Sequence, residues 1–448
     1  MDERLIVFRK TLWVCLALGI AGPAAHAAAA SDPLLADQWA LADPSAIGAQ
    51  EAWTQSSGAG VLVAVLDTGV QLNHPDLAAN IWRNPGEVPG NGRDDDANGI
   101  VDDVNGANMF DLNGNVDDDN GHGTHVAGIV AARQGNGIGG SGIAPEATIL
   151  PVKVLDANMA GNTDTLAYGI RYAVDRGAKI INVSVNTDAA TDTVRDAVRY
   201  AGEHGAIVVA SAGNSGRNID LQPSYPASLT DPAVFAVAAQ DEGGLLSQIS
   251  NTGMLSVDLA APGVHIASTT RNSSYQSRSG TSAAAPFVAG SLALLSAARP
   301  DLSMSALRTI VSETTRRTTL LNALVGGGRL DVGAALHRAL AGRPWKTAPQ
   351  ATTASTAVHP TLRLRTAPSK LRAGSRVTLR WTATAVERVT RWRVSLDGRV
   401  VKSVPTTAGG VSRRIASAGK HTWRVVGFDA AGTKVVAATR SFRLARRG

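Results

Sequence analysis

Val61-Leu62-Val63-Ala64-Val65-Leu66 runs straight into Asp67-Thr68-Gly69, and the fold class can be read outward from this stretch. Six successive apolar residues lack the alternation of a strand with one wet face. Such a run suits a strand buried on both sides within a parallel sheet. The pattern returns in Ile149-Leu150-Pro151-Val152-Lys153-Val154, Lys179-Ile180-Ile181-Asn182-Val183 and Ala206-Ile207-Val208-Val209-Ala210. Between these runs, Thr124 to Ala132, Thr163 to Arg176 and Thr191 to His204 repeat their apolar positions at helical spacing. Buried strands alternating with helices predict an α/β domain over about 28–342, a three-layer doubly wound mostly parallel sheet. Function in such sheets collects at the carboxyl ends of the strands.

Three glycine-flanked polar residues stand at those ends. Asp67 closes the first buried run. His122 lies in Asn120-Gly121-His122-Gly123-Thr124-His125-Val126-Ala127-Gly128, where a helix opens, and Ser282 opens another in Ser279-Gly280-Thr281-Ser282-Ala283-Ala284-Ala285-Pro286. A serine hydroxyl is a poor nucleophile until a base takes its proton, and an imidazole needs a carboxylate to fix its tautomer and stabilise its charged form. A helix N-terminus under the serine supplies a backbone N–H and favours developing negative charge. Singly, each has a plainer reading: a turn aspartate, a metal-binding histidine, a helix cap. All three together, in the chain order Asp, His, Ser, supply a nucleophile, a base and the carboxylate that orients it.

With their flanks, these motifs resemble the subtilase family. Asp67-Thr68-Gly69-Val70 continues into His74-Pro75-Asp76-Leu77, His122 sits in His-Gly-Thr-His-Val-Ala-Gly, and Ser282 in Gly-Thr-Ser-x-Ala-x-Pro. The resemblance implies a serine endopeptidase with Asp67, His122 and Ser282 as triad and protein or peptide substrates. His125 then matches the family's structural histidine. Ser211-Ala212-Gly213-Asn214 implies Asn214 as a side-chain donor to the oxyanion. The walls of the primary substrate pocket are expected at Ser184-Val185-Asn186 and Ser211-Ala212-Gly213. Asn186 stands where the family usually has glycine, which predicts a narrower or more polar pocket. Ala283 replaces the methionine of many relatives, so the site should tolerate oxidants. A non-catalytic binding protein of the same fold is the rival reading. Its signature would be a lost triad member, and none is lost here.

Calcium is the expected cofactor. Asp94-Asp95-Asp96-Ala97-Asn98-Gly99-Ile100 carries oxygen ligands at alternate positions and a glycine at the bend. Asp94, Asp96, Asn98 and Ile100 are therefore candidates, closed by Asp103; a solvated acidic turn is the alternative. The family resemblance implies a second site from Asp32, Asp76 and Asn136 with carbonyls of Arg133, Ile138 and Gly140. The run Asp117-Asp118-Asp119 could be a further site or could support the imidazolium.

The N-terminus carries Arg4, Arg9 and Lys10, then the apolar Leu12 to Ile20, then Ala25-His26-Ala27, the layout of a signal peptide over 1–27 and hence of a secreted protein. The single cysteine, Cys15, falls inside it, so the mature chain has no disulfide and no thiol nucleophile. Past residue 30, no run reaches the ~20 apolar residues a membrane span requires. Prolines at 344, 349 and 360 mark a linker over 343–360. Residues 361–448 show short alternating strands, an immunoglobulin-like β-sandwich. That segment holds 20 Lys/Arg and 3 Asp/Glu, net +17, against +6 for the chain, leaving about −11 elsewhere. A basic module on an acidic body suggests contact with anionic cell envelope or polysaccharide, without any nucleic-acid motif, and the chain is expected to be a monomer.

Overall fold

In the computed structural model the described residues are 32–341, except 319–320 and 322–323, and 361–445, except 368–371, 375, 385–388, 398, 406–409 and 429–433. The expected signal peptide and linker lie outside them. The chain divides into two compact units, Met1–Ala348 and Pro349–Gly448.

The first unit is built on seven strands: β1 (Leu62–Asp67), β2 (Ala107–Asn108), β3 (Thr148–Lys153), β4 (Ile180–Val183), β5 (Ile207–Ser211), β6 (Val234–Gln240) and β7 (Leu259–Pro262). They lie in the order β2-β3-β1-β4-β5-β6-β7, every neighbouring pair parallel. The helices are α1 (Trp39–Ala42), α2 (Ala49–Trp53), α3 (His122–Ala131), α4 (Thr163–Asp175), α5 (Asp192–Glu203), α6 (Thr281–Ala298), α7 (Met304–Glu313) and α8 (Val332–Ala339). Alternate residues of β1 enter different cores, as the period of a strand requires. Val63 and Val65 pack with residues of α3 and α6, while Ala64 and Leu66 pack with α4 and α5. Both sheet faces are thus covered, which is why these strands read as unbroken apolar runs. Among the described residues α6 alone is long and apolar enough to cross a membrane, and 78% of it is buried inside the fold, so it reads as a core helix.

The chain leaves β1 for β2 and then β3 on one side and crosses to β4 on the other. The carboxyl ends of β1 and β4 therefore flank the point where strand order reverses, the usual place for a ligand crevice in such sheets. An antiparallel hairpin, β8 (Ile266–Thr270) and β9 (Ser274–Arg278), leads into α6.

The second unit has two antiparallel sheets. One contains β10 (Thr361–Ala367), β11 (Arg376–Thr384) and β14 (Gly410–Arg414). The other contains β12 (Arg391–Leu396), β13 (Arg399–Pro405), β15 (Gly419–Phe428) and β16 (Lys434–Leu444). Leu379 and Trp381 from the first sheet share a core with Trp392, Val394, Trp423 and Val425 from the second, so the unit is a β-sandwich.

Candidate active site

Asp67 ends β1, fully buried, and its Oδ1 lies 2.7 Å from His122 Nδ1. The same oxygen accepts the Thr68 N–H at 2.8 Å, while Oδ2 is buried and has no partner among the described residues. His122 is the first residue of α3, and Gly121 ahead of it has φ 100°, a backbone that favours glycine. A Cβ at Gly123 would collide with the Gly69 carbonyl and lie 3.0 Å from Asp67 Cβ. The first turn of α3 can rest on the Asp67–Gly69 turn only because that residue is glycine.

Asp118 fastens the two motifs together. Its Oδ1 accepts from Thr68 Oγ1 at 2.8 Å, Asn120 N at 3.0 Å and Gly121 N at 2.7 Å, and its Oδ2 accepts from Thr124 N at 2.8 Å and Thr124 Oγ1 at 2.6 Å. Thr68 Oγ1 in turn accepts the Gly123 N–H. Asp119 instead meets Lys153 Nζ at 2.8 Å, and that buried ammonium also donates to the Thr68 carbonyl. Within the acidic run Asp118 thus caps the helix and Asp119 forms an ion pair.

The two histidines of this helix differ in electrostatics. Burial opposes a charged His122 and Arg278 adds to that, but the Asp67 carboxylate, backed by Asp118, holds its pKa above the ordinary value. His125 Nε2 lies 3.0 Å from the carbonyls of both Ile266 and Gln276, and burial drives its pKa down to about 3. A neutral ring that donates to the β8–β9 hairpin is a structural histidine.

Ser282 is the second residue of α6, half-buried. Ser184 Oγ donates to its carbonyl at 3.0 Å. Ser184 directly follows β4, and since Leu66 pairs with Val183 it stands level with Asp67 on the neighbouring strand, with adjacent strands about 4.8 Å apart. The nucleophile candidate therefore lies at the same sheet edge as the Asp67–His122 pair. Among the described residues no hydrogen bond engages the Ser282 hydroxyl, and such contacts commonly tighten only with substrate bound. Asn214, exposed beyond the end of β5, accepts from Thr281 N at 2.8 Å and Thr281 Oγ1 at 3.0 Å through Oδ1. With Oδ1 committed as acceptor, Nδ2 is the end left to donate.

The sequence and the fold are matched by known proteins. The Subtilase family profile, peptidase S8, matches residues 58–329. The chain belongs to the subtilase family. Thermitase of Thermoactinomyces vulgaris is 38% identical over 288 residues, 64% of this chain and 92% of thermitase. Subtilisin Savinase of Lederbergia lenta is 37% identical over 279 residues, 62% of this chain and 91% of Savinase. A solved protease of Pseudoalteromonas arctica superposes with TM-score 0.58 at 30% identity, covering 69% of this chain and 99% of that one. This subtilase is a subtilisin-type serine protease.

Of the expected pocket walls, Asn186 and Gly213 border a cavity of about 210 Å³ beside Asn214, and Val185 and Asn186 border a neighbouring one of about 310 Å³. Asn186 Nδ2 donates to the Ser211 carbonyl at 2.7 Å and its Oδ1 accepts from Ser211 Oγ at 3.2 Å. Ala212 is turned into the core, and Ser184 Oγ is occupied by Ser282. Thr187, Asp188, Ser215 and Arg217, further along the same two loops, complete the smaller cavity with Ser224 and the more distant Asn251, and no sequence motif marks them.

The calcium candidates separate into two places. Around the loop from 133 to 140, Asp32 accepts the N–H groups of Gly135, Asn136 and Gly137, while Asp76 accepts from Asn136 Nδ2 at 2.7 Å, Gly140 N and Tyr275 Oη. Asn136 Oδ1 accepts the Ile138 N–H. Both carboxylates are buried, and burial, with Asp32 adding its charge, raises the Asp76 pKa. Only neutral donors are seen around them among the described residues, so a hard cation fits this donor set. In the other loop, one oxygen each of Glu87, Asp96 and Asp103 lie within 4.8 Å of one another. Glu87 Oε2 is buried and has no partner among the described residues, an orphan a cation would satisfy. Asn98 donates to Asp103 from Nδ2 at 3.1 Å, and Arg176 pairs with Asp96. Asp94 is not among the three; its carboxylate accepts the N–H groups of Asn98 and Gly99. The Ile100 N–H donates to Asn98 Oδ1. Glu87 was not singled out from sequence because it precedes the D-x-D-x-N-G run.

Proposed function

We propose that this subtilase hydrolyses protein substrates through an acyl-enzyme on Ser282, with His122 as general base and Asp67 as its orienting carboxylate. The observation that carries the reading is the 2.7 Å contact between Asp67 Oδ1 and His122 Nδ1, at the sheet edge where Ser282 opens α6. With its Nδ1 proton directed at Asp67, His122 presents Nε2 to take the serine proton as Oγ attacks the carbonyl carbon. The oxyanion is received by the Ser282 N–H and Asn214 Nδ2. His122 then protonates the leaving amine, and a water deprotonated by the same ring releases the acid.

We assign 1–27 to a signal peptide, 28–342 to the peptidase domain, 343–360 to a linker and 361–448 to the basic module of a secreted monomer. Calcium, where bound, supplies the positive charge that Asp32 and Asp76, and Glu87, Asp96 and Asp103, surround. The basic module sets like charges directly opposite each other, Arg376 with Arg414 and Lys420 with Arg443. Such pairs are destabilising unless something anionic covers them, which supports docking to anionic envelope or polysaccharide.

The test is a fluorophosphonate probe and a mixed peptide library, applied to wild type and Ser282→Ala. Labelling of Ser282 with cleavage in the wild type alone supports the reading. A wild type that is neither labelled nor active refutes it and favours a non-catalytic binding protein.

A further inference from the structure

Resting on the protease reading, we infer that Arg217 makes the primary pocket select an acidic residue, glutamate above all, on the acyl side of the scissile bond. Among the described residues no apolar side chain lines the cavity of about 210 Å³ beside Asn214: Asn186, Thr187, Ser215, Ser224 and Asn251 present amides and hydroxyls to it. An apolar side chain entering it would strip water from these groups and offer nothing back, which costs affinity.

Arg217 and Asp188 are the charged residues in that lining, and they pair with each other. They are not equivalent. The Asp188 side chain is 81% exposed and the Arg217 side chain 27%. Arg217 is also anchored: its N–H donates to Asn251 Oδ1 at 3.1 Å, its carbonyl accepts the Thr252 N–H at 2.9 Å, and its guanidinium donates to the Pro223 carbonyl at 3.2 Å. Among the described residues the guanidinium Nε is buried and has no partner. An exposed ion pair is worth little, because water competes for the carboxylate. Asp188 can therefore swing into solvent while Arg217 stays and gives a substrate carboxylate the Nη2 donor that Asp188 releases. Asp188 is its resting counter-ion. A glutamyl carboxylate gains charge-assisted bonds that a glutaminyl amide cannot match.

The experiment compares peptides differing only in that residue, Glu, Gln, Lys, Phe or Leu, for the full chain, Arg217→Gln and Asp188→Asn. Wild type should favour Glu over Gln by about tenfold or more in kcat/KM. The preference should shrink as salt rises, fall towards parity in Arg217→Gln and grow in Asp188→Asn. Because each ratio is taken within one preparation, partial misfolding of a variant does not alter it. Preference for Phe or Leu, preference for Lys through Asp188, or a Glu/Gln ratio unmoved by Arg217→Gln overturns this inference and leaves the protease reading intact. Absence of any cleavage by the wild type overturns both.

Discussion

Replacing Asp118 by asparagine removes one oxygen and one charge from a carboxylate that is 2% exposed and accepts five hydrogen bonds. If the amide oxygen keeps Thr68, Asn120 and Gly121, the new NH2 group faces Thr124 N–H and can accept nothing from it. The Thr124 hydroxyl can rotate and accept, but its backbone donor is left buried and unpaired. Bonds to a charged group are worth about 1.5–3 kcal/mol each and a stranded buried donor about 1–3, offset by no longer burying a charge, so a net loss of about 3 kcal/mol is expected. For a domain of this size that corresponds to a fall in Tm of roughly 4–5 °C. The melt should be run in a Ser282→Ala background to prevent self-digestion. A second readout separates charge from packing. Burial alone would raise the Asp118 pKa, but the bonds from Thr124, Gly121 and Thr68 outweigh it and hold the carboxyl below the ordinary range. A depressed folded-state pKa gives stability that is complete above the unfolded value near ~3.9 and is lost as pH falls through the folded one. The variant's stability should therefore decline less steeply with acid. In the active enzyme the acid limb of kcat/KM follows His122, whose raised pKa puts it above about 6.5. Loss of the Asp118 charge should move that limb to lower pH. A Tm within about 2 °C of wild type together with an unmoved limb would refute the coupling.

Ser282→Ala should abolish turnover, by roughly a millionfold as in subtilisin, and Asn214→Leu should lower kcat by about 10²–10³ with little change in KM, again the size seen in subtilisin; steady-state kinetics on one peptide checks both. Chelation with EGTA should lower Tm and calcium should restore it, and Glu87→Gln should reduce the part of that response owed to its loop; a chelation-insensitive melt removes the calcium assignment. Ala283, 3% exposed beside the nucleophile, offers no sulfur to oxidise, so activity should persist in dilute peroxide, and rapid inactivation would count against that.

What could be read from sequence was what lies close along the chain. The buried strand runs needed only their own composition to announce a sheet covered on both faces, and the glycines beside Asp67, His122 and Ser282 advertised turns that bring backbone close. Partners far apart in sequence were silent. Asp118 reaches Thr68 across 50 positions, Arg217 reaches Asp188 across 29, and Glu87 joins Asp96 and Asp103 only after the intervening loop folds back. A carboxylate that caps a helix, one that pairs with an arginine and one that could hold a cation look the same as letters. Their surroundings, supplied by other segments, decide which they are.

The Gly-Thr-Ser-x-Ala-x-Pro pattern is legible as a motif, yet its last letter has a physical reason that only packing reveals. Pro286 lies inside α6 and has no N–H to give, so the carbonyl four residues earlier, that of Ser282, loses its intrahelical partner. A buried carbonyl left bare is costly, and here Ser184 Oγ meets it at 3.0 Å while accepting from Asn182 Nδ2 at 2.9 Å. The vacancy made by the proline thus ties the start of the serine helix to the end of β4, while Asp67 is fixed at the end of the adjoining β1. The spacing between Ser282 and Asp67 is then set by the register of two parallel strands, a far stiffer reference than the loops that carry them.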